Sequence, residues 1–597
     1  MFQKCLLIID CDKINIVRDD IYTKKERQVK TCNRRMGHIQ IFMAIFGICL
    51  ICYLFFIQVF DLRHYRAKAK RQYQHSNIVM RGDIFDRNGI KLATDTVYYD
   101  VYARPQDFND KVHTKEELAT MLAPILNIQP AVLLKKLQQP SANVILLKKG
   151  ITREQHDSIA KLNLMEIPMD KKTTRVYPQE CLASHVLGYY NNDAGSNGEG
   201  ISAGVEYTAK DILERTPPQK SVEKTPAGNV IYNFSTDPLA VVEPTKGEDV
   251  TLTIDTAIQH ICERELYKAI GKHHAKRGAI IVMNPKNGEI LAYAVYPFYN
   301  PNNYKNASMI QMKNWTLTDI FPPGSTFKII TISTALALGK INKNSVIYDP
   351  GRMKIDRWEI VNHDYKQKGA PGNISLVKLF KHSSNCASVK IAMMMTAGEY
   401  YHILKKFGFG AKTGIDLPGE SVGLLNRPSS WNKADKAAMS YGYGASVTAI
   451  QMVSAVSAIA NNGVRVTPHV IKYSQEDFEK KIHFVRVMPE EQAKTITDLL
   501  RQSIEIGKSP LKMNDYYVAA KTGTSKKPRE DGLGYTGNYY TSSIGFLPAT
   551  NPQVLIYVVV DSAQGGEVWG STVAAPIFHS VATQIASILN LIPDKHS

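Results

Sequence analysis

Cysteine is scarce where a fold could use it. Of eight cysteines, Cys5, Cys11, Cys32, Cys49 and Cys52 fall in the N-terminal stretch, leaving Cys181, Cys262 and Cys386 downstream. Three dispersed cysteines form neither a disulfide framework nor a metal cluster. Also missing are zinc-finger spacing, a P-loop and an RNA-binding aromatic signature. The formal net charge of +18 is therefore weak support for a nucleic-acid binder and leaves anionic lipid or an acidic polymer as recipients. A hydrophobic content of 44% and a charged content of 21% describe a globular chain with ample core, long enough for about four domains.

Charge is absent from Ile41 to Ile57, IFMAIFGICLICYLFFI. With its flanks this run reaches the roughly 20 residues that a membrane helix needs. No A-x-A cleavage site follows it, and charged residues do, so the reading is an uncleaved signal anchor over 39–60 behind a polar tail, 1–38. Six Lys/Arg precede the span closely and five follow, which nearly balances the positive-inside rule.

Residues 61–248 alternate helical and strand-like stretches with many turns. In RGDIFDRNGIKLA, Arg81 to Ala93, the residues Arg81, Asp83, Asp86 and Arg87 could form a catalytic cluster. The Asn88-Gly89 turn and the alternating charges favour an ion-paired strand rim instead. GISAGVEY, Gly200 to Tyr207, reads as a turn into a helix. Pro/Gly punctuation up to Pro244 sets a boundary near 248.

The remainder, 249–597, reads as mixed α/β. VTLTIDTAIQHICEREL gives a strand and a helix led by Asp255, and GAIIVMNPKNGEILAYAVY gives a hairpin turning at Lys286 to Gly288. YYVAAKTGTS, YYTSSIGFLPA and VLIYVVVD read as neighbouring strands, and STVAAPIFHSVATQIASIL as a closing helix. Strands on short links, with helices elsewhere in sequence, imply an antiparallel sheet packed by helices.

Three polar islands stand in apolar surroundings. In FPPGSTFKIITISTALALGK a proline-glycine turn runs into a helix that is apolar on every side except for Lys328. Lys328 is at i+3 from Ser325, on the same face and within reach of its hydroxyl. Desolvation and the helix dipole both disfavour the cation, and a neutral amine beside a hydroxyl is a general base beside a nucleophile. S-x-x-K recurs at Ser158/Lys161, Ser221/Lys224, Ser375/Lys378, Ser430/Lys433 and Ser509/Lys512, but only the copy at 325 has the turn before and the apolar helix after. The second island is Ser383-Ser384-Asn385, with S-x-N copies at Ser141/Asn143 and Ser430/Asn432. The third is Lys521-Thr522-Gly523, ending a strand, with a K-T-G copy at Lys412 to Gly414 in a loop. On that strand Lys521 and Gly523 share a face and Thr522 points away. Gly523 would let a ligand backbone approach, Lys521 offers a cation to a carboxylate, and Thr524 offers a hydroxyl and a backbone N–H.

S-x-x-K, S-x-N and K-T-G in this order resemble the penicillin-binding proteins and serine β-lactamases. RGDIFDRNGIKLA resembles the start of the pedestal of class B penicillin-binding proteins, and PGSTFK, NHDYK, HSSN and AKTGTS resemble their transpeptidase domain. Gly442-Tyr443-Gly444 is similar to the septal branch more than to the elongation branch. The resemblance implies a mixed α/β (α+β) chain with one N-terminal transmembrane helix, an elongated pedestal over 61–248 and a transpeptidase domain over 249–597. It implies a peptidoglycan D,D-transpeptidase in which Ser325 attacks the carbonyl between two D-alanines of a stem peptide and Lys328 takes its proton. Ser383 would relay a proton to the leaving D-alanine, and Asn385 would orient substrate and Lys328. The N–H groups of Ser325 and Thr524 would form the oxyanion hole, and Lys521, Thr522 and Thr524 would recognise the terminal carboxylate beside Gly523. An amine of a neighbouring stem peptide would take the acyl group. No metal or organic cofactor is implied. β-Lactams are implied as inhibitors, and the partners implied are division proteins and a membrane-embedded FtsW-type glycosyltransferase, with the catalytic domain outside the cytoplasmic membrane. A hydrolase of the same superfamily, an elongation-type transpeptidase and a non-catalytic division scaffold remain as alternatives at this point.

Overall fold

The computed structural model describes residues 41–53, 55, 80–108, 112–139, 144–191, 201–214, 223–224, 230–231, 246–529, 531 and 534–595. By contacts these fall into two units. In the smaller one, 41–53 are helical with exposed apolar side chains, among them Phe42, Ile48 and Ile51, and a two-residue strand pair joins Glu223–Lys224 to Val230–Ile231. Among the described residues no helix is long and apolar enough to cross a membrane, and part of the expected 39–60 span lies outside them.

The larger unit contains two five-stranded sheets. The first is built on a long strand β2 (Lys91–Ala103), which pairs antiparallel with β1 (Ile84–Phe85), β3 (Ile145–Ile151) and β4 (Met169–Val176). β1 also pairs in parallel with β5 (Val250–Thr251), so the chain returns beside its own start. Helices α1 (Lys115–Leu126), α2 (Pro130–Leu137) and α3 (Arg153–Ala160) cover one face. Capping boxes at Thr114/Glu117 and Thr152/Gln155 satisfy first-turn N–H groups, and Leu118, Leu122, Leu133 and Ile159 bury against Val101 and Leu147.

The charged run at Arg81 to Arg87 forms part of this frame, as the alternating charges imply. Asp86 accepts from Asn88 N and Ile90 N across the β1–β2 turn, and from the N–H and hydroxyl of Thr256 (3.2 and 2.7 Å). Asp83 pairs with Lys91 and Lys246. Arg81 reaches Glu206, on a short helix α4 (Gly204–Thr208), at 3.1 Å, and Glu206 also accepts from Arg175 Nε at 2.6 Å and Tyr177 OH at 3.2 Å. Glu206, Arg81 and Arg175 are all buried, so each charge depends on its partners.

The second sheet follows α5 (Thr256–His273), whose N-terminus Asp255 caps by accepting from Ala257 N and Ile258 N. Its strands are β6 (Arg277–Met283), β7 (Ile290–Tyr296), β8 (Ala519–Pro528), β9 (Tyr535–Leu547) and β10 (Val554–Asp561), in the order β7-β6-β10-β9-β8, all antiparallel. β10 is buried along its whole length because both faces are covered, which is why VLIYVVVD shows no polar alternation. Ile556, Val558 and Val560 enter a core with α5 and α11 (Ala574–Ile588). Leu555, Tyr557 and Val559 enter the opposite core with α6 (Lys328–Ala337) and α9 (Ala449–Ala460). β8 stands at the edge, and its outer row of backbone groups has no strand partner.

Replacing Glu206 with Ala leaves two buried guanidinium groups short of a carboxylate. Chemical denaturation of the variant is expected to show a loss of about 3–5 kcal/mol.

Candidate active site

The nucleophile island departs from a simple helix start. Gly324–Phe327 is a 3₁₀ turn, and α6 begins only at Lys328. With three residues per turn, Ser325 and Lys328 still share a face. Ser325 is partly exposed, and every residue from Lys328 to Leu336 is buried.

Lys328, expected to face Ser325, donates its hydrogen bonds elsewhere. Its Nζ donates to Asn385 Oδ1 (2.7 Å), to Ser383 Oγ (3.1 Å) and to the Ser383 carbonyl. This ties the first island to the second. Ser383 ends a helix, α7 (Leu376–His382), in a left-handed conformation at φ 52°, and Ser384 caps α8 (Asn385–Met393) by accepting from Ala387 N at 3.0 Å. The kink between the helices turns both the carbonyl and the hydroxyl of Ser383 toward Lys328. Burial is the main force that holds the Lys328 pKa well below the ordinary lysine value, and the charge of Lys521 acts the same way.

The third island lies on β8. Lys521, Gly523 and Ser525 face inward, and Thr522 and Thr524 share the other, half-exposed face. Lys521 Nζ donates to the Thr522 carbonyl (2.9 Å), and burial pulls its pKa down to about 8. Thr524 Oγ1 accepts from Gly570 N (2.9 Å). Lys526 N donates to the Tyr443 hydroxyl (2.9 Å), so it points away from β9. By the alternation of an antiparallel ladder, the N–H groups of Thr524 and Thr522 point to the same open edge.

Gly523 serves a purpose that its sequence position does not show. A Cβ there would lie 2.7 Å from Ser542 Oγ and 2.9 Å from Thr326 Cγ2. The missing side chain therefore makes room for the nucleophile turn. Ser525 Oγ donates to the Pro322 carbonyl (2.6 Å) on the same side. Opposite, Gly442 at φ +87° approaches so closely that a Cβ would lie 2.2 Å from the Gly324 carbonyl, and Gly324 N donates to Gly442 O (3.1 Å). The turn bearing Ser325 is thus clamped between β8 and the Gly442 loop.

Sequence reasoning missed Asn362. Its Oδ1 accepts from Asn385 N (2.8 Å), Cys386 N (3.1 Å) and Ser384 Oγ (3.4 Å), so this one buried side chain holds the start of α8. The only signal was its place in NHDYK. The motif copies behave as loops or caps. Ser375 caps α7, Asn432 forms a capping box, Ser158 Oγ donates to the Glu154 carbonyl, and Glu420 accepts from Thr413 N, Thr413 Oγ1 and Gly414 N. Ser141/Asn143 and Ser221 lie outside the described residues.

Residues 278–583 match the family described as the penicillin binding protein transpeptidase domain, and 76–252 match the penicillin-binding protein dimerisation domain. The chain is 32% identical over 528 residues to stage V sporulation protein D of Bacillus subtilis, covering 86% of this chain and 79% of the relative. It is 29% identical over 518 residues to the peptidoglycan D,D-transpeptidase FtsI of Escherichia coli K12, covering 86% and 84%. The crystal structure of penicillin binding protein 2X from Streptococcus thermophilus has a similar fold, with a TM-score of 0.72 at 22% identity, covering 86% of this chain and 80% of that one.

Two lysines with lowered pKa values predict a bell-shaped rate of acylation against pH. The rate rises as Lys328 loses its proton, and falls as pH rises through about 8 and Lys521 loses the charge that would hold a carboxylate. Arginine stays charged throughout, so Lys521→Arg is expected to remove the alkaline fall, and stopped-flow acylation across pH checks this.

Proposed function

Because the chain belongs to the penicillin-binding protein transpeptidase family, carrying both its transpeptidase and its dimerisation domains, we propose that it cross-links peptidoglycan stem peptides through a Ser325 acyl-enzyme in septal wall synthesis. The observation that carries the proposal is the convergence of the three islands on one buried lysine. Lys328, whose pKa burial holds well below the ordinary lysine value, stands beside the turn that bears Ser325, and in its unprotonated form it is the general base. Ser383, hydrogen-bonded to Lys328, passes the proton to the leaving D-alanine. Asn385 holds Lys328 by its carbonyl oxygen.

The open edge of β8 receives the donor peptide as an added strand, with main-chain hydrogen bonds supplying affinity. Thr524 N–H on that edge and Ser325 N–H, a donor of the first 3₁₀ turn, form the oxyanion hole. One such donor is worth about 3–4 kcal/mol. Lys521, whose amine reaches the Thr522 carbonyl, receives the terminal carboxylate, with the hydroxyls of Thr522 and Thr524 offered from the other face of the strand. An amine of a second stem peptide then releases the acyl group. β-Lactams acylate Ser325 in place of the donor.

The chain is anchored in the cytoplasmic membrane by the apolar run from Ile41 and works on the outer side. It cross-links glycan but does not polymerise it. Support comes from the region between the run and β5, where the acidic residues that could have served a polymerase, Asp83 and Asp86, are committed to Lys91, Lys246, Thr94 and Thr256. A membrane-embedded glycosyltransferase of the FtsW type supplies the glycan.

Labelled penicillin tests the assignment. Ser325→Ala is expected to abolish covalent label and Ser375→Ala, which removes only a helix cap, to keep it; label on the Ser325→Ala protein would sink the reading. Supplied with lipid-linked disaccharide-pentapeptide, the pure protein is expected to make no glycan until a polymerase is added. Glycan made by the protein alone would show a second site.

A further inference from the structure

Asp349 ends a strand (Val346–Asp349) and is fully buried. Among the described residues no cation is paired with it. Its carboxylate instead accepts from Asn362 Nδ2 through both oxygens, at 3.0 and 2.8 Å, and from Gly351 N at 2.8 Å. A carboxylate only accepts, so it fixes which way the Asn362 amide faces. The NH₂ turns to Asp349, and the oxygen turns to Asn385 N and Cys386 N. Asn385 is oriented in turn, with Nδ2 donating to the Val361 carbonyl (3.0 Å) and Oδ1 accepting from Lys328. A row of hydrogen bonds, continued through the covalent frame of Asn385 from its backbone N–H to its side-chain Oδ1, runs from a buried carboxylate to the amine beside the nucleophile.

We propose that Asp349 is a positioning residue that acts on Lys328 through Asn362 and Asn385, setting both the aim of its amine and the pH at which it becomes a base. The inference rests on the reading of Lys328 as the base for Ser325. Flipping the Asn362 amide would set its NH₂ against two backbone N–H groups, so the direction of the row is held from the Asp349 end. The negative charge favours the protonated form of Lys328 and moderates the loss of basicity caused by burial. The other groups around Lys328 are Lys521, which opposes its charge, and Cys386 and Asp364, which favour it. His363 lies beside Lys328, Lys521, Asp364 and Lys368, and Cys386 lies beside Asp349, Lys328 and Lys390. Asp349 is the one carboxylate among them joined to Lys328 by the hydrogen-bonded row described.

Asp349→Asn keeps the shape, removes the charge and puts a donor where Asn362 needs an acceptor. The measurement is the rate of acylation by labelled penicillin across pH, with thermal melting alongside. For Asp349→Asn the limiting rate is expected to fall about tenfold because Asn385 is no longer fixed. The acid limb is expected to move to lower pH by about half a unit to one unit because the charge favouring the cation is gone. In Asp349→Asn/Asn362→Asp the acceptor-only group moves to 362, where it can take hydrogen bonds from Asn385 N, Cys386 N and the new amide. This exchange is expected to restore the limiting rate and to place the acid limb at or above that of the wild type. An Asp349→Asn protein with an unmoved limb, or an exchange protein that melts like the wild type but regains no rate, overturns the proposal. If Asp349→Asn does not fold, the limb and rate of the exchange protein decide it. Failure of Lys328 as the base is separable, because Lys328→Ala would then acylate at the wild-type rate.

Discussion

Burying one amine is the constraint on which the site depends. Among the described residues Lys328 is the only lysine in the set of large fully buried side chains, and a charged ammonium there would be costly. Two responses are visible together. The amine is surrounded by oxygen acceptors from Ser383 and Asn385, and its pKa is held low by the loss of solvent. The acceptors come from the kink between two helices some 55 residues downstream, so the nucleophile helix and the second island must pack as one piece before the amine is satisfied. Lys521 adds a second cation nearby and lowers the Lys328 pKa further.

A second constraint is steric. Ser325 sits on a 3₁₀ turn held from both sides by backbones that approach within the space of a methyl group, Gly523 on β8 and Gly442 on the loop before α9. Hydrogen bonds from Ser525 Oγ to Pro322 O and from Gly324 N to Gly442 O close the clamp. Such a turn reaches its working geometry before any ligand arrives, which favours catalysis by positioning. The sheet behind it has apolar cores on both faces, so the edge strand is supported along its length.

The islands were legible because each carried a local contrast: a lysine inside an apolar helix, a polar break between two helices, a K-T-G on a strand and not in a loop. The antiparallel sheet was legible because its strands stand on short links with the helices elsewhere in sequence. Interactions between segments far apart in sequence were not. Nothing local marks Asn362 as the partner of Asn385, or Asp349 as the partner of Asn362, because those bonds exist only after three segments have packed. Lys328 was expected on the face of Ser325, within reach of its hydroxyl, and nothing local showed that its amine would bond Ser383 and Asn385. At Gly523 nothing local showed that the space of the missing side chain is taken up by the protein's own turn. In GISAGVEY the helix was legible but not the strand Ile201–Ser202 before it or Glu206's two arginine partners.

The central claim is that Lys328 gives up its proton well below the pH at which an ordinary lysine does. Lysines labelled at Cε, with Lys328 assigned by its loss in Lys328→Arg, allow its titration to be followed directly by NMR in the unacylated protein. The account predicts that the Lys328 signal titrates well below the ordinary value of 10.5, ahead of the exposed lysines. A signal that titrates with the exposed lysines would contradict it, since a protonated amine could not take the proton from Ser325.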